Sequence, residues 1–249
     1  MGSFRSERRA AEPVEGELEA PGTDNKPNWG SLYRARGEEV SATRRPVFTG
    51  DIYADVDVGA GQRLRLIVLQ HPCTIDHKGK LAKRLLVAEV RPLKGGVIRP
   101  SKWADHYYKL LPLHELDDEE PHHWGADFDE HYIVTREALL AGIRTTILSQ
   151  VGVNLLMQRW VNHNSRVVPH TKDFNAMFLP QYEETDLMEE WIDEREDAVG
   201  IEAATAEVDA WFSARLTDQP NRRQQLKDTQ RVPNIRSDMR AHLRSLRGR

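Results

Sequence analysis

Arg65-Leu66-Ile67-Val68-Leu69-Gln70-His71-Pro72-Cys73-Thr74 is an apolar run that ends in two polar side chains, a proline and the only cysteine of the chain. Such a run fits a buried strand, and Pro72, which has no backbone N–H to give to a ladder, stops it. Gln70, His71, Cys73 and Thr74 are therefore expected at a sheet edge or barrel mouth, where side chains meet a ligand.

Working outward, Ile52, Ala54, Val56 and Val58 alternate as one face of a preceding strand, and Gly59-Ala60-Gly61 turns it into Leu64–Leu69 as a hairpin. Downstream, Leu85–Val90, Lys109–Leu113 and His131–Val134 read as further strands, followed by helix-like Arg136–Leu140. Five short strands between turn signals predict a small, strongly bent antiparallel sheet or barrel over residues 46–140.

The 249 residues are enough to bury a sizeable core, and a formal charge of −4 argues against a uniformly basic coat for nucleic acid. A single cysteine makes no internal disulfide, and neither an export leader nor a membrane-spanning apolar run is read, so a cytoplasmic protein without membrane contact is expected. Residues 1–45 are rich in Glu, Arg, Pro and Gly, the composition of a largely disordered arm, with Trp29, Leu32 and Tyr33 as a short anchor.

Residues 141–216 read as helical and packed on the strand region. Thr145–Gln158 holds no charged residue, so a helix there must lie against protein on most sides. Gln150, Asn154, Gln158 and Asn162 recur every fourth residue as a stripe of amides, either a ladder for a base or partner strand or the satisfaction of overlying loops. Glu183–Asp197 is an acidic amphipathic segment that does not converge on a metal site, and Val208, Trp211 and Phe212 mark another packed helix. In the basic tail, 217–249, Ile235, Met239, Leu243 and Leu246 form an apolar stripe flanked by Arg236, Arg240, Arg244 and Arg247. This stripe fits two partners: a phosphate-bearing molecule, or the acidic segment of the same chain.

No phosphate-binding glycine loop, nucleotide fingerprint or hydrolase elbow occurs, so no cofactor is expected. His71, Cys73 and His77, with His122, His123 and His163 farther away, lack the paired spacing of a zinc site, so no metal is expected either. Cys73 and His71 form a thiol–imidazole pair only if extended geometry survives past Pro72; otherwise Cys73 is a buried, inert thiol.

Thr49-Gly50-Asp51-Ile52-Tyr53, the turn, Arg65–Gln70 and Leu86–Val90 together resemble the opening strands of the MazF/PemK family of toxin endoribonucleases. The resemblance implies a small SH3-like, MazF-like antiparallel β-barrel, and with the helical C-terminal region read above the chain is expected to be α+β. It also implies a homodimer and metal-independent cleavage of single-stranded RNA by an arginine and a small hydroxyl residue. The arginine matches Arg65. Where the hydroxyl should follow the third strand the chain has Arg91 and Pro92, leaving Thr74, with His71, to assist proton transfer. The leading expectation is a module that binds single-stranded RNA or a protein partner through Gln70, Arg91, the amide stripe and the C-terminal arginines. The alternatives are a toxin-type endoribonuclease using Arg65, Thr74 and His71, and a non-catalytic scaffold.

Overall fold

The computed structural model describes residues 16–41, 43–75, 81–103, 109–117, 123–217 and 219–247. Seven strands make its main sheet: β1 (Tyr33–Arg36), β2 (Ile52–Gly59), β3 (Gln62–Val68), β4 (Arg84–Pro92), β5 (Leu110–His114), β6 (His123–Thr135) and β7 (Ile143–Leu148). Their order is β1-β7-β2-β3-β4-β6-β5, antiparallel throughout.

The α+β class holds, but the sheet is open and the expected SH3-like barrel is not formed. β1 and β5 end the strand order, and side-chain hydrogen bonds cross the seam between them. Tyr33 Oη donates to the His114 carbonyl at 2.7 Å, and Arg36 Nη1 donates to that of Glu115. A small barrel fills its interior with its own side chains. Here Ile52, Ile67, Leu69, Ala88 and Val90 share a core with Leu155, Leu156, Phe174 and Phe178 from two helices, and a sheet that admits helices to its inner face stays open. The opposite face packs Tyr53, Val56, Leu66, Val68, Leu85 and Val87 against Ile75 and Leu139. Leu66 and Val68 face one core and Ile67 and Leu69 the other, which is why β3 reads as a continuous apolar run.

The hairpin of β2 and β3 forms as expected, turning through Gly59, Ala60 and Gly61, all at positive φ. The single apolar face expected for Ile52, Ala54, Val56 and Val58 does not form. Asp55 sits at φ 59° within a register shift between Tyr53 and Val56, so Ile52 joins the first core and Val56 the second.

Two strands lie outside the 46–140 region. Ile143–Leu148, read as the start of the helical part, is β7 and pairs with both β1 and β2. Its β-branched residues Ile143, Thr145, Thr146 and Ile147 favour the pleat. Residues 16–45, read from composition as an arm, supply β1 and the buried Trp29, Leu32 and Val40; residues 1–15 lie outside the described residues.

Four long helices complete the fold: α1 (Gln150–Ser165), α2 (Thr171–Val199), α3 (Ile201–Ser213) and α4 (Val232–Arg247). Ser149 caps α1, its hydroxyl accepting from Gly152 N at 3.1 Å. Gly152 is required there, because a Cβ would stand 2.2 Å from the Leu32 carbonyl oxygen. The first half of α2 lies on the sheet through Phe174, Phe178 and Tyr182; its second half adds Leu187, Met188 and Trp191 to a separate helical core. There Val208, Trp211 and Phe212 of α3 meet Ile235, Met239 and Leu243 of α4, each buried side chain contributing roughly 1.5–3 kcal/mol. Among the described residues no helix is long and apolar enough to cross a membrane.

Candidate functional site

Past Val68 the chain keeps only two backbone bonds to β4, from Leu69 N and Gln70 N to the Leu86 carbonyl, and then turns. Gln70 fixes the turn: its Oε1 accepts from Leu86 N at 3.2 Å and its Nε2 donates to Thr74 Oγ1 at 2.7 Å. Thr74 in turn donates to the His71 carbonyl at 2.8 Å. Pro72 opens a single helical turn, Pro72–Ile75, where its missing N–H costs nothing. His71 Nδ1 accepts from Cys73 N at 3.3 Å and lies 2.9 Å from Cys73 Sγ.

This geometry corrects the expectation that Cys73 is buried. Cys73 is exposed, and it meets His71 through a helical turn, without the extended backbone the sequence appeared to require. Because Nδ1 accepts a backbone N–H, the ring's proton belongs on Nε2 and Nδ1 presents its lone pair to the sulfur. Burial lowers the His71 pKa from the usual 6.5, which favours the neutral ring at pH 7. Its edge packs on Phe178, with 4.9 Å between ring centroids.

Cys73 stands on the wall of a cavity of about 370 Å³ between the strand end, the Pro46–Phe48 segment and α2. Phe48, Ile75, Pro180 and Met188 give it an apolar surface, and Gln181, Glu184 and Arg223 give it polar points. Pro180 lies inside α2, where it removes one helical hydrogen bond beside the cavity. Phe48 is held by a buried charge: Asp51 Oδ2 accepts from Phe48 N at 3.0 Å and from Arg144 Nη1 at 3.2 Å. Burial raises the Asp51 pKa against the opposing effect of Arg144. Arg45 lies behind this wall, over the rings of Tyr182 and Phe48 and paired with Asp186. Arg223 bridges Glu184 and Asp209, at 2.7 Å to each.

The residues expected to act together are divided. Gln70, His71 and Thr74 cluster as described, but Arg65 lines a different cavity with Arg36, Asp117 and Thr146. There it pairs with Asp117 at 2.7 Å and lies 4.0 Å over the Trp124 ring. Arg91 pairs with Asp127. Of the amide stripe, Asn154, Gln158 and Asn162 are buried. Gln158 bonds Glu19 N and the Pro169 carbonyl, each at 2.8 Å; Asn154 donates to Asn175 at 3.3 Å; and Gln150 lies at the start of α1. Arg236 reaches Glu183 at 3.1 Å, Arg240 reaches Glu190 at 2.5 Å and Arg247 pairs with Glu194, while Arg244 points to solvent.

Of the histidines weighed for zinc, His77 and His122 lie outside the described residues. Among the described residues no three His, Cys, Asp or Glu side chains gather as metal ligands. Sequence reasoning missed the buried charges Arg45 and Asp51 and the half-buried Arg144 that pairs with Asp51. The available signal was an ionisable residue flanked by turn and strand residues, Gly50-Asp51-Ile52, where exposure is the rule. Comparison with models of known protein families gives no match, and comparison with curated proteins gives no significant one.

Proposed function

We propose that this chain is a protein-partner binding module that seats an apolar side chain of its partner in the cavity beside Cys73. The observation that carries this reading is the cavity itself: about 370 Å³, walled by Phe48, Ile75, Pro180 and Met188 and edged by the Glu184–Arg223 pair. An apolar pocket with a few fixed polar groups suits an anchor residue whose burial supplies much of an interface's energy. A protein partner is favoured over RNA because Arg65, Arg91, Arg236, Arg240 and Arg247 each face a carboxylate of the same chain. An arginine already neutralised releases few counterions on meeting a phosphate.

The test is selection of peptides from a random library on the immobilised full-length protein, with Thr185→Phe, a larger side chain at a position of α2 that lines the cavity, as counter-target. Peptides sharing an apolar residue, and binding the variant at least about tenfold more weakly, support the reading. Recovery only of peptides that bind both proteins alike overturns it, as does tight, steeply salt-dependent binding of single-stranded RNA without peptide binding.

A further inference from the structure

Cys73 lines the cavity with His71 beside it, and partner binding leaves the chemistry of this pair unused. The thiol is exposed, its sulfur is 2.9 Å from a ring nitrogen, and that nitrogen is already fixed as an acceptor by Cys73 N. The cavity beside it, lined also by Gln181, offers room for an occupant. The other charged groups of the lining are Glu184, Arg223 and Lys227, the first two paired with each other.

We propose that Cys73 is a reactive thiol that exchanges with a small disulfide whose apolar substituent lodges in this cavity, His71 taking the thiol proton. The proposal rests on the cavity being a ligand site. Sγ attacks one sulfur of the incoming disulfide as its own proton passes to His71 Nδ1. The S–S bond of the reagent breaks, a new S–S bond joins Cys73 to the apolar half, and the other half leaves as thiolate. His71 returns the proton to that thiolate. Cys73 sulfur is oxidised and the leaving sulfur reduced, so no further oxidant is needed. The neutral ring that burial favours is the form able to take the proton.

The probe is dithiodipyridine, an aromatic disulfide whose released thione is followed by absorbance, applied to the full chain at pH 7. The native protein is expected to react about tenfold faster than the same chain unfolded in urea, a comparison that needs no variant. His71→Gln should fall to the unfolded rate. Thr185→Phe should slow the aromatic disulfide while leaving the rate with methyl methanethiosulfonate, which needs no cavity, unchanged. A native rate at or below the unfolded one overturns the proposal, and so does a His71→Gln protein as fast as the parent. Equal slowing of both reagents by Thr185→Phe removes the cavity's part in it. Peptide binding by a Cys73→Ser protein separates the two readings. Retained binding with no rate enhancement in the parent refutes the thiol site alone, whereas enhancement without peptide binding refutes the partner module.

Discussion

The molecule uses the same pairing, arginine with carboxylate, in two places with opposite physical character. Where the sheet meets α2, Asp51 and Arg144 pair with side-chain exposures of 1 % and 15 %, next to the fully enclosed Arg45. Along the seam between α2 and α4, Arg236, Arg240 and Arg247 pair while 33 %, 52 % and 62 % exposed. In the first place water has been stripped away and the charges depend on each other. In the second, water screens them, and the helices are held by Ile235, Met239 and Leu243 beneath. The difference teaches that a map of ion pairs is not a map of stability until burial is added.

Breaking the buried side should cost most. Asp51→Ala leaves Arg144 with the Arg45 carbonyl but without its carboxylate and frees Phe48 N, and a loss of about 3–5 kcal/mol is expected, read as a lower urea midpoint at unchanged slope. A loss below about 1 kcal/mol would erase the contrast between the two regions.

Acid probes a second buried group. His114 is fully enclosed, accepts from Ile98 N at 3.1 Å, and has its pKa pushed down to about 4 by burial and by neighbouring His123. The unfolded chain, with an ordinary imidazole, binds the proton first, so stability falls as pH drops from about 6.5 to about 4. The expected contribution is on the order of 3 kcal/mol, and His114→Gln should flatten that part of the stability–pH curve.

Arg65 is intermediate, with its side chain 23 % exposed between Asp117 and the Trp124 ring. Arg65→Ala should cost about 1–2 kcal/mol in thermal or urea unfolding. Should the parent cleave single-stranded RNA and the variant fail to while remaining equally stable, Arg65 would belong to chemistry and not to this contact.

The smallest effect is expected at the exposed seam. A double-mutant cycle on Arg236 and Glu183 should return a coupling below about 1 kcal/mol that shrinks further in high salt. A larger, salt-insensitive coupling would place this seam with the buried group.

Much of the fold was legible where one local signal had no competitor. The β2–β3 hairpin, β4, the short helix Arg136–Ala141 and the apolar stripe of α4 all follow from alternation, turn glycines or helical spacing. β7 was missed because the uncharged run from Thr145 to Gln158 spans a strand and a helix, and lack of charge reports burial without telling which. Gly142 and Ser149, which bracket the β-branched residues, were the finer signal. The strand's end at Pro72 was legible; the exposure of Cys73 was not, because it depends on how His71 caps a turn only four residues long. Arg65, the residue most suggestive of chemistry by type, owes its real setting to Asp117 and Trp124, more than fifty positions away.

The position of β7 also sets an order of events during synthesis. β1 and β2 leave the ribosome early, but the strand that joins them, Ile143–Leu148, is made about a hundred residues after β1. Until then both present unpaired edges, β1 has no sheet to join, and the α1 helix that covers the inner face is still unmade. The N-terminal half is thus a passenger waiting on one late strand, and a chain released before residue 148 carries two open edges, the form most prone to join another chain.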